Sequence, residues 1–483
     1  MFYNNNKQKE RGRKMNQKRL KKLKETKEES RMLKNKAGIT LIALVVTIVV
    51  LLILAGVSIS LILDNNGIIK KSKDARREYR QAQTNEQEQM DNAGDWIDEA
   101  VTGKVTLAKV PVGTKASKNG TINGEEGNSN NPTIPKNYIP IDTATSTWGD
   151  GSTAPSQDSV KHGLVIKDEK NNEWVWVPVP DVTVMCDTSN TTEYTLCGTT
   201  GDTAVKTKLY SKSGIISGKT RTTPGTSTFR SYREPDLVVG NDDTKYDATD
   251  TSCKIILGDK GTKEQLAQLF VDEYKAMIES VSKYGGFYIG RYELSGTVTE
   301  PTEKPEKTLT KTDWYNLYNA CRSSKLQASD KVKTQMIWGC QWDVTMNWLI
   351  SSGAKTSDEV NKDSSSWGNY YSTSVKADDG TTVLKASGKA QVLNTGKTTF
   401  TMANNIYDLA GNCYEWTQEA SGTSNRAVRG GHCGDYGSNR PASNRNDFTP
   451  DSGDYGIRFS SHFNNKVILD TRAWAPVWRI IIK

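Results

Sequence analysis

The longest apolar stretch of the chain spans 39–63 and contains no charged residue. A bilayer core of about 30 Å is crossed by about 20 apolar residues in helical form, so this pattern predicts a membrane-spanning helix. The preceding residues, 1–38, carry 14 Lys and Arg against four Glu, and the charge after the stretch is mixed. Because Lys and Arg accumulate on the cytoplasmic side of a span, the sequence predicts a single-pass membrane protein with its C-terminal domain outside the cell.

Beyond the apolar stretch the pattern becomes polar and then rich in turn-forming residues. Residues 64–101 predict a helical stalk with few apolar positions. Residues 102–160 are rich in Gly, Thr, Asn, Ser and Pro, a composition with too few apolar side chains to order itself strongly. We therefore predict a flexible linker there and a globular domain over 161–483.

Short runs within the globular part carry the periods of strands and helices. Aromatic and β-branched runs predict strands at 173–177, 286–293 and 478–482. Helical patterns predict helices at 263–283 and 313–322, the second opened by an Asp or Thr cap. The predicted fold class is α+β, with a long N-terminal transmembrane helix and stalk followed by a loop-rich domain.

The charge distribution argues against a nucleic-acid partner. The 483-residue chain has a formal net charge of +8, but residues 1–38 contribute +10 and the remainder −2. A nucleic-acid-binding protein should carry its basic surface on the folded domain that makes the contact. We therefore expect no nucleic-acid partner.

The cysteines and histidines do not form a metal-binding pattern. Seven cysteines are odd in number and mostly far apart, and three histidines are too scattered for a zinc site. Cys186 and Cys197 are close enough for a loop-closing disulfide in an exported protein. Cys321, Cys340 and Cys413 lie in aromatic neighbourhoods, and we expect each of them to be a small buried side chain.

A short motif lies at the junction of the basic leader and the apolar stretch. Residues 36–44, KAGITLIAL, resemble the processing site of type IV prepilins. The resemblance implies cleavage between Gly38 and Ile39 by a prepilin peptidase, and packing with other pilin subunits. Ala43 stands where that family has an acidic residue, so the resemblance supports processing and anchoring more than polymerisation.

A second set of motifs lies in the C-terminal half. NIYDLAGNCYEWT at 405–417, RAVRGG at 426–431 and GIRF at 456–459 follow WVWVPVP and GFYIGRYE in order. The set resembles the formylglycine-generating enzyme (sulfatase-modifying factor) family, a variant of the C-type lectin fold. The family's oxidising members bind copper through two cysteines at the positions of Asp435 and Arg440. Neither side chain suits copper(I), so we expect no copper and no enzyme.

The same resemblance implies a calcium site on the 408–415 loop. Its ligands would be the side chains of Asp408 and Glu415 and the backbone carbonyls of Gly411 and Cys413, an oxygen-rich set that suits calcium. In the alternative interpretation, the two carboxylates only accept hydrogen bonds from turn amides and hold the loop in shape.

The segment after the RGG motif is dense in Tyr, Asn, Ser, Asp and Arg and poor in aliphatic residues. Such mixtures occur in the binding loops of antibodies, and lectin-fold proteins diversified by retroelements vary in this region. The predicted ligand-binding residues are His432, Asp435, Tyr436, Asn439, Arg440, Asn444, Arg445, Asn446 and Tyr455. The alternative is an ordinary solvent-facing loop required by the fold.

Together these observations predict a pilin-like cell-surface display protein whose lectin-type domain binds an extracellular protein or glycan, as an adhesin or receptor does. The alternative is a structural subunit, a minor pilin or pseudopilin of a pilus or secretion assembly. A formylglycine-generating oxidase is the least favoured of the three.

Overall fold

The computed structural model describes most of the C-terminal part of the chain and scattered N-terminal positions. The described residues are 17–25, 45–50, 75–76, 78–79, 82, 86, 107–143, 160–185, 193–208, 232–238, 252–258, 261–329, 332–450, 463–464 and 467–470. The chain divides into two compact units, Met1–Ile97 and Asp98–Lys483.

In the N-terminal unit the described residues are helical, at 17–25, at 45–50 and at the isolated positions between 75 and 86. Among the described residues, no helix is both long enough and apolar enough to cross a bilayer. The prediction of a transmembrane helix at 39–63 is therefore wrong. The prediction of a single-pass membrane protein depends on that helix and is wrong for the same reason. Gly38 and Ile39, the predicted cleavage site, lie outside the described residues.

The C-terminal unit consists mostly of short strands and loops with few helices. Its described strands are β1 Ala108–Lys109, β2 Gly120–Thr121, β3 Ile139–Ile141, β4 Val165–Lys167, β5 Glu173–Pro178, β6 Glu193–Thr195, β7 Lys206–Lys208, β8 Tyr232–Arg233, β9 Gly286–Gly290, β10 Ser295–Gly296, β11 Pro301–Thr302, β12 Lys333–Met336, β13 Val375–Lys376, β14 Val383–Lys385, β15 Met402–Ala403, β16 Ile406–Tyr407, β17 Tyr414–Ser421, β18 Asn425–Arg429, β19 Arg445–Phe448, β20 Phe463–Asn464 and β21 Val467–Asp470. Its described α-helices are α1 Ser252–Leu257, α2 Lys263–Tyr284, α3 Trp314–Cys321, α4 Gly339–Ser351 and α5 Ser357–Asn361.

The larger sheet of the described residues is antiparallel and has the order β12-β21-β9-β5-β4-β3. Both of its faces are buried. Successive side chains of a strand point to opposite faces, and β5 shows this directly. Trp174 and Trp176 pack into one apolar cluster, whereas Val175 and Val177 pack into the other. This two-sided burial explains why residues 174–177 of the predicted strand at 173–177 are all apolar, and β5 confirms that prediction.

The smaller sheet of the described residues is built around β17. β17 pairs with β18 and β8 in antiparallel fashion and with β20 in parallel, and β19 pairs with β18. All eight residues of β17 are buried. This sheet holds the two ends of the segment that carries the predicted binding residues.

The helix predicted at 263–283 is confirmed as α2, and its limits follow from local sequence signals. Thr262 and Gln265 form a capping box at its start, and Gly285 ends it in the left-handed conformation with φ 73°. Leu266, Phe270 and Tyr274 repeat every four residues on its buried face. The helix predicted at 313–322 is likewise confirmed as α3, with the Asp313 side chain accepting a hydrogen bond from the backbone N–H of Asn316 at 2.7 Å.

The structure differs from the predicted flexible linker at 102–160. Its described part, 107–143, belongs to the folded unit: β3 extends the larger sheet, and Val110, Ile122, Ile134 and Tyr138 are buried in the core. The indole N–H of Trp176 donates to the carbonyl of Ser129 at 3.0 Å. A few apolar anchors suffice here because the remainder of the core provides the surface against which they pack.

Candidate functional site: the 434–440 loop

Two glycines direct the chain out of the smaller sheet and into the loop of residues 434–440. Gly430 and Gly431 follow β18 with φ of 80° and 76°, a region that other residues rarely adopt. A Cβ at Gly430 would lie 2.6 Å from Oε2 of Glu415, and one at Gly431 would lie 2.6 Å from the carbonyl oxygen of Arg440. The RGG motif therefore has a structural cause, since both positions lack room for a side chain.

The backbone of the 434–440 loop is held by hydrogen bonds within the loop and to neighbouring segments. Asp435 N–H donates to the His432 carbonyl, and the N–H groups of Asn439 and Arg440 both donate to the Tyr436 carbonyl, each at 2.9 Å. From outside the loop, Tyr371 N–H donates to the Asp435 carbonyl at 2.8 Å. The loop thus has a defined conformation although its sequence lacks aliphatic residues.

The side chains of this loop form an open polar concavity. Its volume is about 550 Å³, and it is lined by Gly434, Asp435, Tyr436, Ser438, Asn439 and Arg440. Tyr436 is 49% exposed and meets Tyr371 edge to face, with ring centroids 5.7 Å apart. The surface combines an acidic group, a basic group, an amide, a hydroxyl and an aromatic ring.

Beneath the loop, His432 and Tyr414 support Asp435 and Arg440. The Nδ1 atom of His432 accepts a hydrogen bond from Gly434 N–H at 2.7 Å, and its backbone N–H donates to Oδ2 of Asp435 at 3.1 Å. The His432 and Tyr414 rings meet nearly at right angles, 4.8 Å apart. Burial raises the pKa of Tyr414, and its hydrogen bond to Asp435 raises that pKa further. Tyr414 therefore remains a neutral phenol that also hydrogen-bonds Arg440.

The structure separates the predicted binding residues into two groups. Asp435, Tyr436, Asn439 and Arg440 line the concavity together. The buried side chains are those of His432, Asn444 and Arg445, with 4%, 2% and 0% exposed. Asn446 lies in β19 with intermediate exposure, and Tyr455 lies outside the described residues.

The prediction that Arg445 contacts a ligand is corrected, because its side chain is completely buried in an ion-pair network. Arg445 lies 2.9 Å from Oδ2 of Asp343 and 3.0 Å from Oε2 of Glu419. Arg429 shares Asp343, at 2.6 Å from Oδ1. A guanidinium in this environment anchors the end of the loop and is not available to an external partner.

The predicted calcium residues lie on a tight, buried loop. Asp408 and Asn412 have φ of 60° and 58°, and Oδ2 of Asp408 accepts a hydrogen bond from Gly396 N–H at 3.2 Å. Cys413 N–H donates to Oε1 of Glu293 at 3.1 Å. Among the described residues, no group of three or more His, Cys, Asp or Glu side chains is arranged to hold a metal ion. The contact of Asp408 with Gly396 suits the alternative of a hydrogen-bonded loop, and calcium binding stays a prediction.

Sequence reasoning missed Tyr371 and Tyr414 as parts of this site. Tyr371 is distant in sequence and reaches the loop only through the fold, whereas Tyr414 belongs to the NCYEWT motif. A tyrosine two residues after Asn412 of that motif is the available signal.

No family model and no curated protein sequence matches the chain. Among solved structures, the chain is similar to Treponema denticola variable protein 1, with 13% identity and a TM-score of 0.23 over 34% of this chain and 72% of that chain. It is also similar to PvdO from Pseudomonas aeruginosa, with 14% identity and a TM-score of 0.25 over 39% of this chain and 81% of that chain. TM-scores this low do not establish a shared fold, and neither likeness supports a prepilin-like segment.

Proposed function

We propose that this protein is a binding protein, and that its 434–440 loop recognises a partner protein through the concavity lined by Asp435, Tyr436, Asn439 and Arg440. The proposal concerns recognition and includes no catalytic step.

One observation carries the proposal: the loop has a fixed backbone but exposed polar and aromatic side chains. The hydrogen bonds from Tyr371 and within the loop hold the main chain, while Tyr436 and Asn439 remain exposed. A pre-organised surface loses little conformational entropy when a partner binds.

The chemistry of the concavity suits a protein partner. Tyr436 offers a large ring with few rotatable bonds, and Ser438 and Asn439 can both donate and accept hydrogen bonds. Asp435 and Arg440 place opposite charges on one surface, which favours a partner with complementary charges and disfavours others.

The experiment is a binding screen of the full chain against an extracellular-protein library and a glycan array, followed by two variants. We expect a protein ligand whose Kd rises about 5- to 150-fold in Tyr436→Ala and in Arg440→Ala, equivalent to about 1–3 kcal/mol for each truncated contact. Circular dichroism melting should show that both variants keep the parent Tm.

Tyr79→Ala and Arg76→Ala are matched controls, because both positions are exposed and belong to the N-terminal unit. They should leave the Kd unchanged. A protein ligand that binds the Tyr436 and Arg440 variants as tightly as the parent would place recognition elsewhere. Ligands found only on the glycan array would change the class of partner.

A further inference from the structure

Two cysteines that are separate in the sequence lie side by side beneath the 434–440 loop. Cys413 directly precedes β17, and Cys433 follows the two glycines after β18. The backbone N–H of Cys433 donates to the carbonyl of Asn412 at 3.0 Å. Because Asn412 and Cys413 are consecutive, this bond places the two cysteine backbones next to each other. A disulfide needs Cα atoms usually about 4.4–6.8 Å apart and Cβ atoms that point toward each other, and neighbouring backbones are consistent with the first condition.

The two thiols also share one environment. Both side chains are completely buried. Burial raises the pKa of Cys413, and the charges of Glu293 and then Cys433 raise it further, which places the two sulfur atoms within electrostatic reach of each other. Two other cysteines have different surroundings: Cys197 lies near Asp236, and Cys321 lies near Glu303.

A buried ammonium group distinguishes the two thiols. The Nζ atom of Lys385 donates to the carbonyls of Tyr370, Thr373 and Lys389 at 2.6, 2.7 and 3.2 Å. Burial raises the pKa of Cys433 to about 12, and the positive charge of Lys385 acts in the opposite direction. Cys433 is therefore the thiol with a cation beside it that stabilises its thiolate.

We propose that Cys413 and Cys433 form a disulfide that ties the start of the 434–440 loop to β17. The bond forms by exchange with a small organic disulfide such as oxidised glutathione. One of the two cysteine thiolates attacks the disulfide and releases one reduced thiol, and the other cysteine thiolate then attacks the mixed disulfide and releases the second. Two electrons pass to the organic disulfide, and the two protons lost by the cysteines end on the released thiols.

The exchange takes place while the chain folds, before the thiols are buried. In the folded protein both sulfur atoms are inaccessible, and a Cys433 pKa of about 12 leaves little thiolate at neutral pH. Once formed, the bond closes a loop of about 20 residues and restricts the unfolded chain. It also limits movement of the segment that carries Asp435 and Tyr436.

The test is a refolding experiment on the full chain. The protein is unfolded, refolded in a mixture of oxidised and reduced glutathione, then denatured in the presence of iodoacetamide so that every free thiol is alkylated, and digested for peptide mapping by mass spectrometry. We expect a linked pair of peptides containing Cys413 and Cys433 as the main cross-link. Relative to protein refolded with a reductant, the Tm should be higher by about 5 °C.

Two variants sharpen the result. Cys413→Ala should leave Cys433 alkylated, whereas Cys321→Ala should leave the Cys413–Cys433 cross-link intact. The proposal is overturned if both cysteines are alkylated after refolding in oxidised glutathione, or if Cys433 is linked to a different cysteine. Because the mapping is read on the parent chain, a variant that fails to fold does not remove the test.

Discussion

At the scale of single residues, the anchor of the candidate binding loop is a buried group of charges. Arg429 ends β18 and Arg445 begins β19, so the two guanidiniums stand at the two ends of the intervening segment. Both ion-pair with Asp343 of α4, at 2.6 and 2.9 Å. Burial lowers the pKa of Arg429, and the Asp343 carboxylate opposes that shift. Together with Glu419, which lies 3.0 Å from Arg445, Asp343 therefore compensates two buried cations.

Removing that carboxylate's charge should be costly. We expect Asp343→Asn to lower the free energy of unfolding by about 3–5 kcal/mol, because it leaves two buried guanidiniums to share the carboxylate of Glu419. Urea denaturation followed by tryptophan fluorescence measures this change.

The matched control is Asp358→Asn. Asp358 pairs with Lys362 at 2.8 Å, but the side chains are 71% and 73% exposed, and exposed pairs contribute at most about 1 kcal/mol. Equal losses in the two variants would show that the Asp343 pairs add no more than a surface pair.

At the scale of elements, the end of α2 shows how a local signal and a distant contact act at the same position. Gly285 adopts φ 73° as the helix ends, and a Cβ there would lie 2.4 Å from the backbone nitrogen of Ser129. The first property follows from the helix-ending rule for glycine. The second exists only because the 128–131 turn packs against the helix end.

Gly285→Ala and Gly353→Ala should separate these two effects. Gly353 follows α4 with φ 80° and has nothing within 4 Å of the Cβ position. Gly353→Ala should lower the free energy of unfolding by about 1–2 kcal/mol, the strain of a Cβ on a left-handed backbone. Gly285→Ala should lower the free energy of unfolding by about 1 kcal/mol more than Gly353→Ala, because the backbone of Ser129 must also move. Chemical denaturation of both variants provides the comparison, and equal losses would mean that the 128–131 turn yields freely.

At the scale of the whole molecule, the segment 107–143 is part of the C-terminal unit. Its residues Val110, Ile134 and Tyr138 are buried against Trp174 and Trp176. Without the segment, the indole of Trp176 loses its hydrogen bond to Ser129, and β4 loses its pairing with β3. We therefore expect the unit that can fold alone to begin near residue 98, where the C-terminal compact unit begins, and not at 161.

Two truncations should show this boundary. The chain that begins at residue 98 should unfold cooperatively in urea, with near-ultraviolet circular dichroism typical of packed aromatic rings. The chain that begins at residue 161 should lose that signal or aggregate, because it exposes apolar surface that is buried in the intact protein. If both truncated chains melt at the same temperature, the 107–143 segment contributes nothing to the core.

The elements that could be predicted from the sequence are those whose cause is local. The strand at β5 and the helices α2 and α3 were predicted because their apolar periods and caps lie within a few residues of one another. The sequence also identified four residues of the candidate site, because they lie in one continuous polar segment. They are Asp435, Tyr436, Asn439 and Arg440.

What the tertiary structure alone decided depends on residues that are far apart in the chain. Composition predicted a linker at 102–160, but a core supplied from elsewhere orders 107–143 with a few apolar anchors. Arg445 belongs to the same polar segment of the sequence as the loop residues, yet its side chain is buried in ion pairs with Asp343 and Glu419. Tyr371 packs against Tyr436 of the loop only after the sheets assemble. The same holds for the backbone hydrogen bond from Cys433 to Asn412, the residue before Cys413. Periodicity reports which face of an element is apolar, and only packing determines which distant residue covers that face.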